Sequence, residues 1–176
     1  MREFERLLPA ITIEPLPESA PTPEETGDTY AENALIKARS AARHTQRPAF
    51  ADDSGIEAEA LDGRPGVHTA RFAGPSATDT ENLNKLHDEA PPDSHLRYVC
   101  VIAFATPDGE EHLFEGTCEG TLAPTPRGTA GFGYDPLFIP IEHPDRTMAE
   151  LGDEEKDAIS HRGRAARELL AWLAKR

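Results

Sequence analysis

Polar and apolar residues alternate with helical spacing along several stretches of the chain. The clearest stretch is 29–44, where apolar positions, mostly alanines, fall on one face. Thr29 and Glu32 at its start have the spacing of a capping box, which marks the beginning of a helix. The same periodicity predicts three further helices, over residues 2–8, 78–88 and 160–175.

A second pattern, rich in β-branched and aromatic residues, predicts strands. Residues 97–106 have this composition, a Pro-Asp-Gly turn follows at 107–109, and 110–122 returns as the partner strand of a hairpin. Shorter apolar runs predict single strands over 11–13, 48–51 and 137–139.

Proline and glycine mark the loops between these elements, most clearly over residues 15–27 and 128–136. Strands mixed with crossing helices favour an α/β fold, with a mixed, twisted β-sheet flanked by helices. No linker is long enough to split the chain, so we expect one domain over residues 1–176.

Composition narrows the range of partners. The 176-residue chain has a formal net charge of −14, with 32 acidic residues against 18 Lys and Arg, which disfavours a nucleic acid partner. No apolar run approaches the ~20 residues needed to cross a bilayer, so we expect no membrane partner. Cys100 and Cys118 are too few for a disulfide framework, and a cytoplasmic location is expected.

The first candidate for chemistry is the acidic pair Asp52-Asp53, which we expect at the C-terminal end of the short strand. Where a strand ends the chain turns, so both carboxylates could face one cleft and hold Mg²⁺ against a phosphate. One of them could also take a proton from an attacking water. The alternative is an Asx-turn in which Asp53 or Ser54 caps the following segment. The adjacent pair Glu24-Glu25, in the loop before the capped helix, could supply a third carboxylate or be plain surface.

The second candidate is the glycine-rich segment 131–136. Its glycines allow close backbone approach to a ligand, and Phe132 or Tyr134 could stack on a flat heterocycle. Asp135 could accept a hydrogen bond from a ring N–H. The alternative is a tight turn that inserts an aromatic side chain into the core.

The third candidate is basic. Lys156 precedes Ser160, a good N-cap residue, so His161 and Arg162 fall in the first turn of the last helix. Cations there oppose the helix dipole, which indicates a site for an anion or a carbonyl oxygen. In the structural alternative the glutamates at 154–155 neutralise these cations.

Together these segments resemble the inosine triphosphate pyrophosphatase family, which removes non-standard purine nucleoside triphosphates before they enter nucleic acids. The resemblance covers almost the whole chain, in the family's order. It is carried by residues 24–27, 32–38, 51–55, 65–72, 131–136 and 155–163.

The resemblance implies a two-lobed, homodimeric, Mg²⁺-dependent enzyme that cleaves ITP, dITP or XTP between the α- and β-phosphates. It implies that Asp53 is the general base and, with Glu24 and Asp52, a metal ligand. It also assigns substrate contacts to Ser54, Phe132, Gly133, Tyr134, Asp135, Lys156, His161 and Arg162.

The chemistry of the bases agrees with these assignments. Hypoxanthine and xanthine carry a keto oxygen at C6, which His161 and Arg162 could satisfy, whereas the amino group of adenine would face donors there. Family members open with a strand and a Thr/Ser-Gly-Asn-x-x-Lys phosphate loop, and we expect this chain to start just after it.

Two other functions compete with the pyrophosphatase. A nucleotide-binding protein without catalysis would be consistent with a missing phosphate loop. A different metal phosphohydrolase would use one aspartate of the pair as a nucleophile that becomes phosphorylated. The released product distinguishes the three, because the last would release orthophosphate.

Overall fold

A computed structural model describes residues 2–176 of the protein. Over that range the chain forms five α-helices and four β-strands, linked by loops and short 3₁₀ segments. They are α1 (Arg2–Leu7), α2 (Tyr30–Thr45), β1 (Ala49–Ala58), α3 (Asp79–Glu89), β2 (His95–Ala105), β3 (Glu111–Leu122), β4 (Phe138–Pro140), α4 (Asp153–Ile159) and α5 (His161–Leu173).

The capping box predicted for α2 is present. The Thr29 hydroxyl accepts from the Glu32 N–H at 3.2 Å, and the Glu32 carboxylate accepts from the Thr29 N–H at 3.0 Å. Both bonds satisfy groups that would otherwise be unpaired at the helix start. The helix ends at Gln46, whose φ of 55° is left-handed. The prediction over 29–44 is therefore confirmed.

The strands lie in one sheet in the order β1-β2-β3-β4. The predicted hairpin is formed by β2 and β3, and β4 pairs antiparallel with β3, with Thr121 opposite Ile139. A sheet accompanied by helices confirms the α/β fold class.

The chain divides into two compact units, as the two-lobed expectation required. Unit 1 comprises Met1–Asp53, Cys100–Gly116 and Arg162–Arg176, and unit 2 comprises Ser54–Val99 and Thr117–His161. Each unit has its own apolar core. The core of unit 1 contains Leu8, Cys100, Ile102, Phe104, Phe114, Ala165, Ala166 and Leu169. The core of unit 2 contains Ile56, Leu86, Leu96, Tyr98, Leu122, Leu137, Phe138 and Met148, among others.

The predicted set of elements needs correction at three points. The strand predicted over 11–13 is absent, because Ile11 and Ile13 pack against the core of unit 1 without strand pairing. Helix α4 was not predicted, since its acidic start looks like a solvated loop. The third correction concerns β1, which is ten residues long instead of four. No helix among residues 2–176 is both long and apolar enough to cross a membrane.

Candidate functional site

Strand β1 continues through Asp52 and Asp53 instead of ending before them. The prediction that a turn lets both carboxylates face one cleft is therefore wrong. Successive side chains of a strand point to opposite faces, because the backbone is pleated. The contacts agree with this alternation, since the two aspartates have different partners.

Asp53 is held by two side chains of helix α2. The Lys37 ammonium donates to Asp53 Oδ1 at 2.8 Å, and the Asn33 amide donates to Oδ2 at 3.4 Å. Burial raises the pKa of Asp53 above its usual range, although Lys37 and Asn33 act in the opposite direction. Asp53 is thus a carboxylate of increased basicity in a fixed orientation.

A second carboxylate reaches the same ammonium group. Glu25 Oε1 lies 2.9 Å from Lys37 Nζ, whereas the neighbouring Glu24 is exposed. Burial lowers the pKa of Lys37, but its hydrogen bonds to Asp53 and Glu25 outweigh that effect and leave it raised. We call Glu25, Asn33, Lys37 and Asp53 the Asp53 cluster.

Helix α2 also fixes the loop that carries Glu25. Asn33 and Lys37 are four residues apart and so share one face of the helix. Asn33 Oδ1 accepts from the Gly27 N–H at 2.8 Å, and its amide donates to the Gly27 carbonyl at 3.3 Å. Sequence reasoning missed the roles of both side chains. The sequence did offer one signal, because Asn33 is a polar residue at a position on the buried face of the helix.

Asp52 belongs to a different charge group in unit 1. Arg162 donates to Asp52 Oδ2 through Nε at 3.0 Å and Nη2 at 2.9 Å, and its Nη1 donates to Glu3 at 2.9 Å. Side-chain exposure is 12% for Arg162 and 22% for each carboxylate. Metal binding by Asp52 and base binding by Arg162 stay predictions. In this arrangement the two side chains neutralise each other.

The predicted base-binding segment lies in unit 2 and is organised around Asp135. Its carboxylate is 2% exposed and accepts three hydrogen bonds. Tyr98 Oη donates to Oδ1 at 3.1 Å, while the Phe132 N–H and Lys156 Nζ donate to Oδ2 at 3.0 and 2.5 Å. We call Tyr98, Phe132, Asp135 and Lys156 the Asp135 cluster.

Phe132 leaves its ring open to solvent. It is 51% exposed, and the Lys156 ammonium lies 4.7 Å from the ring centroid. An exposed ring beside a cation suits stacking on a flat heterocycle. Gly131 has a φ of 78°, and a Cβ there would collide with the Asp135 carboxylate, so this position favours glycine.

The remaining predicted residues of unit 2 are also placed. Tyr134 is buried and donates its hydroxyl to the Thr69 carbonyl at 2.8 Å, which fits the alternative of an aromatic inserted into the core. Gly133 N–H donates to Asp79 at 3.2 Å. His161 is buried, and its ring stacks on Tyr98 with centroids 4.6 Å apart.

Ser54 is half-buried on β1, directly after Asp53.

The contacts in unit 2 bring together Phe132, Asp135 and Lys156, as predicted. Sequence reasoning missed Tyr98, Thr69 and Asp79, because each lies far along the chain from the segment it supports.

The two units also contain cavities. One of about 190 Å³ in unit 2 is bordered by Asp79, Leu83 and Phe132, beside the predicted base-binding segment. A larger one of about 710 Å³ in unit 1 has mostly apolar walls, including Phe4, Phe50 and Phe104, with Asp52 at its edge.

Between residues 2 and 176, no three histidine, cysteine, aspartate or glutamate side chains lie close enough together to form a metal site by themselves. The predicted magnesium ion therefore stays a prediction.

Comparison with known proteins decides the family. The model of the Ham1 family matches residues 1–172. The chain belongs to the Ham1 family. A curated Ham1 relative from Cutibacterium acnes, named dITP/XTP pyrophosphatase, is 53% identical over 156 residues, which cover 86% of this chain and 76% of that protein.

Solved structures agree with the Ham1 assignment. A HAM1 protein from Coxiella burnetii superposes with a TM-score of 0.89 at 43% identity, covering 99% of this chain and 93% of the other. The Ham1 protein of Staphylococcus aureus gives a TM-score of 0.86 at 38% identity, covering 99% and 92%. At these identities the likeness extends to the sequence as well as the fold.

Proposed function

We propose that this Ham1 protein hydrolyses dITP, ITP and XTP to the nucleoside monophosphate and pyrophosphate, and so keeps these nucleotides out of nucleic acids. One observation carries the proposal: a buried carboxylate of raised pKa, Asp53, is held in place by Lys37 and Asn33. The name of the Cutibacterium acnes relative supports the choice of substrate and the site of cleavage.

In this proposal Asp53 is the general base that takes a proton from the attacking water. Asp53 is held in a fixed orientation by Lys37 and Asn33, so it can accept a proton from a water placed beside its carboxylate. Asn33 keeps the carboxylate from rotating, because its own amide is fixed on Gly27. Lys37 supplies positive charge beside the carboxylates and would serve an incoming phosphate equally well.

We further propose that the enzyme depends on Mg²⁺. Glu25 and Asp53 both place an oxygen within 3 Å of one cationic atom, Lys37 Nζ, so the structure accommodates positive charge between two hard oxygen donors. These two residues would hold the ion, whereas the sequence-based prediction named Asp53 together with Asp52 and Glu24. When bound, Mg²⁺ would neutralise charge on the triphosphate.

Base recognition is assigned to the Asp135 cluster with His161. Phe132 offers an exposed ring for stacking, and Lys156 offers a donor that adenine's amino group could not use. Asp135 is already engaged by three donors, so its role in this proposal is to hold Lys156 and Phe132.

Two further properties are proposed. A cytoplasmic location is supported by Cys100 and Cys118, which are both buried free thiols. A homodimer is proposed from the family resemblance alone. Nucleotide binding without catalysis is not favoured, since the Asp53 cluster has the groups that proton transfer requires and the named relatives are pyrophosphatases.

The test of the proposed function is Asp53→Asn. This change keeps the shape of the side chain and removes its basicity, so we expect pyrophosphate release from dITP to fall by at least about 100-fold, the usual contribution of a general base. Circular dichroism should show an unchanged fold. The matched control is Asp88→Asn on exposed Asp88 of α3, which should retain full activity. Near-normal turnover by Asp53→Asn would contradict the assignment.

A further inference from the structure

Tyr98 contacts two members of the predicted base-binding group through different parts of its side chain. It lies on β2 and is 6% exposed within the core of unit 2. Its hydroxyl reaches Asp135 Oδ1 at 3.1 Å, and its ring stacks on His161 at an interplanar angle of 9°. Phe138 packs against the same ring, with centroids 4.5 Å apart.

The hydroxyl is the donor in the bond to Asp135. Burial, together with the Asp135 carboxylate, raises the pKa of Tyr98 well above its usual value, so the phenol keeps its proton. A carboxylate can only accept hydrogen bonds, so the Tyr98 hydroxyl donates and Asp135 Oδ1 accepts.

Without the Tyr98 hydroxyl, Asp135 Oδ1 would lose a donor at a site that is 2% exposed. A buried acceptor without a partner is costly, so the carboxylate would rotate toward its remaining donors. Rotation would move Oδ2, which holds the Lys156 ammonium and the Phe132 N–H. The ring that stacks and the cation that donates would both lose their fixed positions.

We propose that Tyr98 is a positioning residue for base recognition, holding Asp135 through its hydroxyl and His161 through its ring. The proposal deepens the proposed function and rests on it. Tyr98 has no access to the substrate itself. The proposal predicts that Tyr98 nevertheless affects the preference for an oxo-purine, because it orients the groups that contact the base.

Tyr98→Phe tests the proposal, since it removes the hydroxyl and keeps the ring. We expect the KM for dITP to rise about tenfold, roughly the effect of losing one hydrogen bond to a charged group. The kcat should change less than about twofold, because base contacts are equally strong in the ground and transition states. The preference for dITP over dATP should fall by the same factor as the KM rises.

Two further variants separate positioning from a general loss of packing. Tyr30→Phe removes another buried tyrosine hydroxyl, in unit 1, and should leave the KM and the preference unchanged. Asp135→Asn should raise the KM as Tyr98→Phe does. The double variant Tyr98→Phe/Asp135→Asn should be no worse than Asp135→Asn alone, because both changes break one chain of contacts.

Each outcome decides between the two proposals. If the unmodified protein releases no pyrophosphate from dITP, the proposed function fails. If it does, and Tyr98→Phe keeps both KM and preference within about twofold, the role of Tyr98 alone is refuted. A Tyr98→Phe protein that does not fold also refutes it, since the hydroxyl would then serve the fold and not base recognition.

Discussion

At the scale of single residues, the environment of each carboxylate determines what it can do. Asp52 and Asp53 are adjacent and chemically identical. Burial raises the pKa of Asp53, although the Lys37 ammonium beside it acts in the opposite direction. Asp52 Oδ2 accepts two hydrogen bonds from the Arg162 guanidinium, so this oxygen is already engaged in an ion pair. The pleat of β1 separates their roles, because it directs them to opposite faces.

Tyr98 gives a second prediction at this scale. Its folded-state pKa is raised well above 10.0, whereas in the unfolded chain it should titrate near 10. The stability that this hydroxyl contributes is therefore fully present below about pH 10 and is lost as the pH rises above it. Urea denaturation of the unmodified protein and of Tyr98→Phe measures the difference.

We expect the unmodified protein to be more stable than Tyr98→Phe by about 1–2 kcal/mol at pH 8. The gap should shrink by about 1.4 kcal/mol for each pH unit above 10. Other titrating groups are common to both proteins and cancel. A gap that is the same at pH 8 and pH 11 would mean that Tyr98 ionises normally in the folded state.

At the scale of elements, Arg162 joins the start of α5 to α1 and β1. It pairs with Glu3 and Asp52, and all three side chains are largely buried. Arg162→Met should lower the free energy of unfolding by about 3 kcal/mol or more, because it leaves two carboxylates without their cation. Chemical denaturation checks this value.

The control for Arg162 lies on the same helix. Arg167 is exposed, and Arg167→Met should change the free energy of unfolding by no more than about 0.5 kcal/mol. A loss below about 1 kcal/mol for Arg162→Met would show that the pairing with Glu3 and Asp52 contributes little to stability.

The elements differ in how well the sequence predicts them. Helix α2 was predictable because its cap and its apolar face are local signals. The length of β1 was not, because its second half is polar and glycine-containing and is stabilised by pairing with a strand distant in sequence. Helix α4 carries too few apolar residues for a periodic signal.

The same distinction holds for the candidate site. Segments such as 131–136 were predictable, since unusual residues cluster within a few positions. The partners of these segments were not. Tyr98 meets Asp135 across 37 residues, and Lys37 meets Asp53 across 16, so only the fold reveals the contacts. The sequence offered the pair Glu24-Glu25 as a further carboxylate, and only the fold shows that Glu25 contacts Lys37; metal binding by Glu24 stays a prediction.

At the scale of the whole molecule, each unit has a distinct set of candidate groups. Unit 1 contains the Asp53 cluster, whose carboxylates and ammonium suit the chemistry at phosphorus. Unit 2 contains the Asp135 cluster, whose exposed ring and buried cation suit an oxo-purine. Because the net charge of −14 repels an anionic substrate, the binding of such a substrate depends on local cations such as Lys37.

The most direct test of the central claim is the identity of the phosphorus products. The purified protein is incubated with dITP and Mg²⁺, and the products are resolved by phosphorus NMR. We expect dIMP and pyrophosphate in equal amounts, and far slower turnover of dATP. Orthophosphate with dIDP, or no hydrolysis of dITP, would contradict the account.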